Sequence, residues 1–208
     1  MRLIIFGSTG SVGRQLVDQA LTQGHTVTAF ARNLSALQNS YPARLNSYQG
    51  DALNPLAVEQ AIKGHDAVLC ALGSGRKGRV RAEGTKNIIR AMEKTGVNRL
   101  VCQTTLGAGD SKGNLNFFWK YIMFGFLLKD AMKDHERQEL YVQQSNLDWT
   151  IVRPAAFTDG AATGQYRHGF SGDAEALTLK IARADVAGFM LKQLVTDEYL
   201  RKTPGLSY

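Results

Sequence analysis

Apolar positions follow two different periods along the chain, and these periods predict strands and helices in turn. Short continuous apolar runs are typical of buried strands, and they predict strands over 1–6, 25–31, 47–49, 67–72, 99–104, 149–153 and 177–181. Between these runs, apolar residues recur every three or four positions and predict helices over 14–23, 55–63, 83–94, 129–145 and 184–195. Gly24, Gly64 and Gly96 follow three of the helices, as glycine commonly does at a helix end.

The alternation of strands and helices predicts the fold class. Strands separated by helices of roughly 10–15 residues are typical of βαβ units, which form parallel sheets. We therefore predict an α/β protein with a Rossmann-type, doubly wound parallel sheet. No linker or repeat divides the chain, so we predict one domain over 1–208. The stretches 106–129 and 157–176 lack periodicity and follow strand ends, and we predict that they form substrate loops.

Composition and charge narrow the classes of partner. A net charge of +7 is typical of nucleic-acid binding, but the basic residues are scattered, so we expect no nucleic-acid partner. Cys70 and Cys102 lie in apolar strand patterns and are expected to be buried free thiols in a reducing cytoplasm. We expect no signal peptide and no metal site, and we expect a monomer.

The densest basic cluster consists of Arg76, Lys77, Arg79 and Arg81. It follows a predicted strand end, where a phosphate-bearing cofactor would lie in this fold class. A solvated loop is the alternative interpretation.

The stretch 114–128 is apolar and rich in aromatic residues. It is short for a membrane span and contains Lys120, so we expect no membrane span. Three interpretations are open for its aromatic side chains: stacking on a planar conjugated ligand, core packing of an extra helix, or a patch on a membrane surface. The residues in question are Phe117, Phe118, Trp119, Tyr121 and Phe126.

A glycine-rich turn joins the first strand to the first helix. Gly7, Gly10 and Gly13 form the pattern G-x-x-G-x-x-G. In dinucleotide-binding turns such glycines allow a tight turn, a close approach to the pyrophosphate, and close packing of helix on strand. The helix N-terminus offers N–H groups to phosphates, and hydroxyl groups add donors. We therefore predict a nucleotide site formed by Gly7, Ser8, Thr9, Gly10, Ser11, Val12 and Gly13.

The end of the second strand favours NADP(H) as the cofactor. NAD sites usually place Asp or Glu there to bind the ribose 2′-hydroxyl, whereas this strand ends at Arg32. A guanidinium can bind a 2′-phosphate, and Ser35 could assist it. Further cofactor contacts are predicted at the ends of the next two strands: Asp51, Ala52 and Leu53 at the adenine, Leu72 and Gly73 beneath the ribose, and Arg76 at the pyrophosphate.

Candidate catalytic groups follow the fifth strand. Thr104 and Thr105 end this strand, where the nicotinamide would lie, although a strand end with satisfied hydroxyls has the same sequence. His135 could donate a proton because histidine titrates near neutrality. A helix-surface histidine is the alternative, and Glu136 and Glu139 beside it are typical of a solvated face. No tyrosine has a lysine four positions later, so the Tyr-x-x-x-Lys acid of many short-chain dehydrogenases is absent.

These residues together resemble a known family. The chain is similar to the atypical short-chain dehydrogenases of the NmrA-like, NAD(P)H-binding group, and within it to the flavin- and biliverdin-reductase branch. The resemblance implies hydride transfer from NADPH to a flavin, a bilin or another planar, quinone-like acceptor. It also implies that Thr105 and His135 lie near the substrate and that Pro154 belongs to the cofactor site. The motifs that carry it are 7–13, Arg32, Gly50-Asp51, 84–88, 149–154 and 188–199.

The sequence departs from the family pattern at two positions near the expected substrate site. A family histidine after Pro154 is absent, and Gln103 replaces an active-site cysteine, so flavin reduction is better supported than bilin reduction.

A second hypothesis is an NADP-sensing regulator that binds a protein partner without catalysis. A nucleotide-sugar epimerase or dehydratase is a third, and the absent Tyr-x-x-x-Lys counts against it.

Overall fold

The structure is a computed structural model that describes residues 1–35, 37, 43–75, 78–170, 174 and 176–208. Its strands are β1 (Arg2–Phe6), β2 (Thr26–Ala31), β3 (Leu45–Gln49), β4 (Ala67–Cys70), β5 (Arg99–Gln103), β6 (Asp148–Pro154), β7 (Ala156–Thr158), β8 (Arg167–His168), β9 (Lys180–Ala182) and β10 (Gly205–Ser207). Its α-helices are α1 (Ser11–Thr22), α2 (Pro55–Ile62), α3 (Val80–Thr95), α4 (Lys129–Gln143) and α5 (Arg183–Lys192). A 3₁₀ helix (Gly109–Asn114) and a π-helix (Phe118–Leu127) lie between β5 and α4.

The central sheet has eight strands in the order β3-β2-β1-β4-β5-β6-β10-β8. All neighbouring pairs are parallel except β10 and β8, which pair antiparallel at one edge. Strand β1 pairs with β2 on one side and with β4 on the other, so the strand order reverses beside β1. The predicted Rossmann-type sheet is confirmed, and a crevice is expected where the carboxyl ends of β1 and β4 diverge.

Alternate residues of β1 point into two apolar layers. Leu3 and Ile5 pack with α1 and α5 on one face of the sheet, and Ile4 and Phe6 pack with α2, α3 and α4 on the other. All four side chains are fully buried. Each such burial contributes about 1.5–3 kcal/mol, and burial on both faces explains why β1 is continuously apolar after Arg2.

The start of α3 and the C-terminal strands differ from the prediction. Helix α3 begins at Val80 because the Asp134 carboxylate of α4 accepts the backbone N–H groups of Arg81 and Ala82, at 3.1 and 3.2 Å. The predicted strand over 177–181 is β9, which pairs with β7 in a separate two-stranded sheet. Instead, the three-residue β10 joins the central sheet beside β6, and it is too short to show a period.

Candidate cofactor and substrate site

The glycine turn brings α1 very close to β1. Gly7 has a φ of +78°, and a Cβ there would lie 2.4 Å from the carbonyl oxygen of Ala71. A Cβ on Gly13 would lie 2.0 Å from the carbonyl oxygen of Gly7. Any other residue at these two positions would collide with backbone, so the turn can form only with glycine.

The first turn of α1 lies at the wall of a cavity, and its backbone N–H groups are at this end of the helix. Gly10 is the N-cap and provides no side-chain cap, which leaves these donors available to a ligand. Thr9 and Ser11 line the cavity. Ser8 is fully buried instead, and its hydroxyl donates to the carbonyl of Phe30 at 3.1 Å, so it ties the turn to β2.

One continuous cavity of about 560 Å³ connects most of the predicted site residues. Its volume is typical of cofactor and substrate pockets, which span roughly 300–1,000 Å³. The predicted residues that line it are Gly7, Thr9, Gly10, Ser11, Val12, Arg32, Asp51, Ala52, Leu72, Gly73, Thr104, Thr105 and His135. Ser8, Gly13, Ser35, Leu53 and Pro154 are not among the lining residues. Arg76 lies outside the described residues.

Arg32 lines this cavity with an exposed side chain. No carboxylate in the described part of the chain forms an ion pair with it, which leaves its charge available to an anionic ligand. The backbone after it is fixed locally, because the N–H of Ser35 donates to Asn33 Oδ1 at 2.9 Å. Asp51 is exposed nearby, and its carboxylate accepts the backbone N–H of Leu53 at 3.0 Å.

Thr104, which lines the cavity, also bonds to a buried ion pair. Its hydroxyl donates to Glu139 Oε1 at 2.7 Å, while Arg153 donates to both oxygens of the same carboxylate, at 2.9 and 2.7 Å. Glu139 and Arg153 are each 3% exposed. The interpretation of Glu139 as part of a solvated face is therefore wrong, because its charge is paired with an arginine on β6.

The same ion pair extends to the surface through Asp110. Arg153 also donates to the Asp110 carboxylate, at the start of the 3₁₀ helix. Burial alone would lower the pKa of Arg153, but the hydrogen bonds with Glu139 and then Asp110 raise it above its ordinary value. The hydrogen bond with Arg153 lowers the pKa of Asp110. These contacts fix the segment after β5 that precedes the π-helix.

Thr105 differs from its neighbour because it is half-buried and, within the described residues, its hydroxyl bonds only to the carbonyl of Leu106, at 3.3 Å. This is a long contact for a hydroxyl donor. The hydroxyl can therefore exchange this contact for a ligand in the cavity that it lines.

His135 is buried in the cavity wall on α4. Its Nδ1 lies 3.2 Å from Gln138 Oε1, so this nitrogen carries the proton and Nε2 is left as an acceptor. The Gln138 amide is itself held, because its Nε2 donates to Thr85 Oγ1 at 3.0 Å and to Cys102 Sγ at 3.2 Å.

Burial, and then the charge of Arg81, lower the pKa of His135 to about 3. The prediction that its pKa lies near neutrality is therefore wrong, and the predicted alternative of a surface histidine is also wrong. At neutral pH this ring accepts a hydrogen bond through Nε2 and carries no proton to release from that atom.

Two of the lining residues that were not among the predicted site residues carry a charge or an amide, namely Arg81 and Gln103. Arg81 is 8% exposed, and it donates to Ser74 Oγ at 3.3 Å and to the Gly75 carbonyl at 3.1 Å. The sequence signal was its basic cluster, but a solvated loop explained that cluster equally well. Gln103 is also 8% exposed, and its Oε1 has no hydrogen-bond partner among the described residues.

The aromatic residues in and just before the π-helix lie partly in the cavity wall and partly on the protein surface. Trp119 and Phe124 line the cavity, together with Leu128. Phe117, Phe118, Tyr121 and Phe126 are between 50% and 80% exposed, so the interpretation as core packing is wrong for these four side chains. Trp119 and Phe124 therefore give the cavity an aromatic part of its wall.

Within the described ranges, no three His, Cys, Asp or Glu side chains are grouped as metal ligands would be. The helices of the same ranges include none with the length and apolar character needed to cross a membrane. Cys70 and Cys102 are buried free thiols, as predicted.

Three solved structures share this fold over the whole chain. The oxidoreductase YlbE from Lactococcus lactis is 25% identical, with a TM-score of 0.84, and the match covers 100% of this chain and 90% of that one. A short-chain dehydrogenase/reductase from Veillonella parvula, solved with NADP, is 17% identical, with a TM-score of 0.84 and coverage of 100% and 94%. ChuY, an anaerobilin reductase from Escherichia coli O157:H7, is 24% identical, with a TM-score of 0.81 and coverage of 100% and 97%.

Sequence comparison gives the family. The photosystem II assembly factor Ycf39 of Synechocystis is 31% identical over 173 residues, which are 80% of this chain and 48% of that protein. The chain thus spans about half the length of this relative. A match to the family described as NAD(P)H-binding extends over residues 7–197. The chain therefore belongs to the NAD(P)H-binding family, in agreement with its resemblance to the NmrA-like short-chain dehydrogenases.

Proposed function

We propose that this protein is an NADPH-dependent reductase that transfers a hydride to a flavin or another planar conjugated acceptor. The observation that carries the proposal is the continuity of one cavity from Arg32 and the glycine turn to Thr105, His135 and Trp119. A cofactor held at the first group of residues would extend toward the second, where an acceptor can lie against the aromatic wall.

The residues of the cavity fit a phosphate-bearing dinucleotide. The uncapped N-terminus of α1 provides N–H donors to a pyrophosphate, and Arg32 provides a guanidinium that suits a 2′-phosphate. A Cβ built on Gly73 meets nothing within 4 Å, so this part of the wall leaves room for a ribose. Gln103 Oε1, which no described residue contacts as a donor, can accept an N–H from a carboxamide.

NADPH held in this way supplies a hydride, which is one proton and two electrons, to the acceptor. The protein has to orient both molecules and exclude water, and proximity provides much of the rate acceleration. Thr105 offers a hydroxyl to the acceptor, and His135 offers Nε2 to an N–H group of the acceptor.

The neutral state of the His135 ring favours a flavin over planar acceptors that need an acid from the protein. A neutral ring with a pKa of about 3 provides no acid at neutral pH. A flavin that has accepted a hydride can leave the site as an anion or take its second proton from water, so it requires no acid from the protein. An acceptor that must be protonated as it is reduced would require one. The names of two proteins with the same fold, an anaerobilin reductase and an oxidoreductase, support a reductase at this site.

The experiment that tests this function is anaerobic NADPH oxidation with excess FMN, repeated with NADH. We expect saturable, enzyme-dependent oxidation that prefers NADPH, and a loss of this preference in Arg32→Ala. Oxidation with either nucleotide at the rate of the enzyme-free control would contradict the proposal.

A second candidate is an NADP-sensing regulator that binds a protein partner. The observation that favours it is the exposed aromatic surface of the π-helix, beside a cavity that suits the same cofactor. One relative, 31% identical, is named a photosystem II assembly factor. Tight NADPH binding without oxidation by FMN, a bilin or a quinone would favour this candidate over the reductase.

A further inference from the structure

We propose that the π-helix docks the protein on the surface of an anionic lipid bilayer. The contact would be made by the aromatic face of this helix and of the residue before it, which we define as Phe117, Phe118, Tyr121, Ile122, Phe126 and Leu127. This inference does not depend on the proposed reductase activity.

The aromatic face concentrates apolar surface in one short segment. Twelve large hydrophobic side chains are exposed in the described part of the chain, and six of them lie within 117–127. Phe126 and Phe117 are 80% and 72% exposed. None of the residues in Phe118–Leu127 is buried. Scattered exposed side chains are ordinary, but a contiguous patch of this kind marks an interaction surface.

Lysines flank the aromatic face along the chain, and the acids nearest to it in sequence lie just outside 111–129, at positions 110 and 130. The sequence 111–129 contains Lys112, Lys120 and Lys129 and no Asp or Glu. Lys112, Lys129 and Lys133 are exposed and form no ion pair with another described residue. The Lys120 ammonium lies 5.6 Å from the centroid of the Tyr121 ring, so a positive charge lies next to the aromatic side chains. The patch is therefore both apolar and positively charged.

This combination fits a lipid surface better than a second copy of the chain. Aromatic side chains with lysines at the edges are typical of helices that lie in the interface of a bilayer, where the lysines reach anionic headgroups. Two copies that met through this face would bring like charges together. Protein interfaces are also depleted in lysine relative to the rest of the surface.

Docking would bring the cavity close to the bilayer, because the same helix contributes to both. Trp119 and Phe124 line the cavity and contact each other, with ring centroids 5.7 Å apart, while the aromatic face points outward. The helix thus separates the cavity from the proposed lipid surface.

The test is co-sedimentation with vesicles of phosphatidylcholine, with and without phosphatidylglycerol. We expect binding to the vesicles that contain phosphatidylglycerol, little binding to phosphatidylcholine alone, and weaker binding as salt is raised. Phe117→Ser with Phe126→Ser should reduce the partition coefficient by about tenfold or more, because two apolar contacts with the bilayer are removed. Lys112→Glu with Lys129→Glu should abolish the dependence on phosphatidylglycerol.

The matched control replaces two exposed apolar residues elsewhere, Leu56→Ser with Val195→Ser, which are 69% and 78% exposed in the native chain. Thermal unfolding should be nearly unchanged in all these variants, since every replaced side chain is exposed. Failure of the native protein to sediment with the anionic vesicles would overturn the proposal. Equal losses in the control would also overturn it, as would a dimer in light scattering that the two Phe substitutions dissociate.

Discussion

The hydroxyl of Thr104 donates a 2.7 Å hydrogen bond to Oε1 of Glu139, and this bond gives the two threonines after β5 different roles. Thr104 is 1% exposed and completes the buried ion pair of Glu139 with Arg153. The next hydroxyl, on Thr105, has only a long contact with a backbone carbonyl and lines the cavity. Adjacent and chemically identical residues therefore separate into a supporting group and a candidate ligand-binding group.

We expect Thr104→Val to reduce the free energy of unfolding by about 1–3 kcal/mol, because a buried carboxylate loses a hydrogen-bond donor while the shape of the side chain is kept. Urea denaturation followed by circular dichroism measures this difference. Stability equal to that of the native protein would show that the bond contributes nothing to the ion pair.

Thr105→Val is the matched variant one residue later. We expect nearly unchanged stability, an unchanged affinity for NADPH, and turnover with FMN reduced by about tenfold, which corresponds to about 1.4 kcal/mol of transition-state stabilisation. Fluorescence titration and steady-state kinetics on the same preparation separate these effects. Full turnover would identify the Thr105 hydroxyl as a structural group.

Arg32→Ala should weaken NADPH binding by about 10- to 100-fold and NADH binding only slightly, since the lost charge-assisted hydrogen bonds are made only to the 2′-phosphate. Titrations with both nucleotides measure the two affinities. Arg90→Ala is the control, because Arg90 is exposed on α3 and does not line the cavity. Equal weakening for both nucleotides would contradict the assignment of Arg32.

His135 should make stability depend on pH. Its folded pKa of about 3 is below the ordinary 6.5, so the unfolded chain binds a proton in this range that the folded chain does not. Stability therefore falls as the pH is lowered from about 6.5 toward 3, by up to about 1.4 kcal/mol per pH unit.

The variant His135→Gln removes this titrating group, so its stability should fall less steeply over the same range. The difference between the two proteins isolates His135 from His25 and His65, whose pKa values are also lowered by burial. Parallel curves from urea denaturation at several pH values would contradict the neutral, buried state of His135.

A substitution of Gln103 is expected to have opposite effects on the stability of the protein and on its affinity for NADPH. Gln103→Leu removes a buried amide whose oxygen has no partner among the described residues and keeps a similar volume. We expect unchanged or higher stability and weaker NADPH binding, because a ligand would supply the partner that the oxygen lacks. Lower stability together with native affinity would show that Gln103 supports the fold only.

The fold could be predicted where the residues that determine an element all lie within one short segment of the sequence. The strands of a parallel sheet are covered on both faces, so their apolar runs are visible in sequence, and Gly7 and Gly13 mark the only turn geometry that their neighbours allow. Strand β10 was not predictable, because its three residues gain their stability from pairing with β6, about fifty residues earlier.

The position of the cavity was predictable, but the chemistry of its wall was less so. Most residues predicted at strand ends do line one cavity, because parallel strands end at the same edge of the sheet. The environment of His135 depends instead on its burial in the folded protein and on the charge of Arg81, and neither is visible in the neighbouring sequence. The ion pair of Glu139 likewise requires Arg153 from another element, whereas its local sequence is typical of a solvated helix face.

The most direct test of the central claim is an anaerobic single-turnover reaction. Protein mixed with one equivalent of NADPH is added to one equivalent of FMN, and the absorbance of NADPH and of oxidised flavin is followed together. A reductase should consume both in equal amounts and at the same rate, much faster than the enzyme-free mixture, and NADH should react more slowly. If NADPH binds but both absorbances decay only at the enzyme-free rate, flavin reduction by this cavity is contradicted.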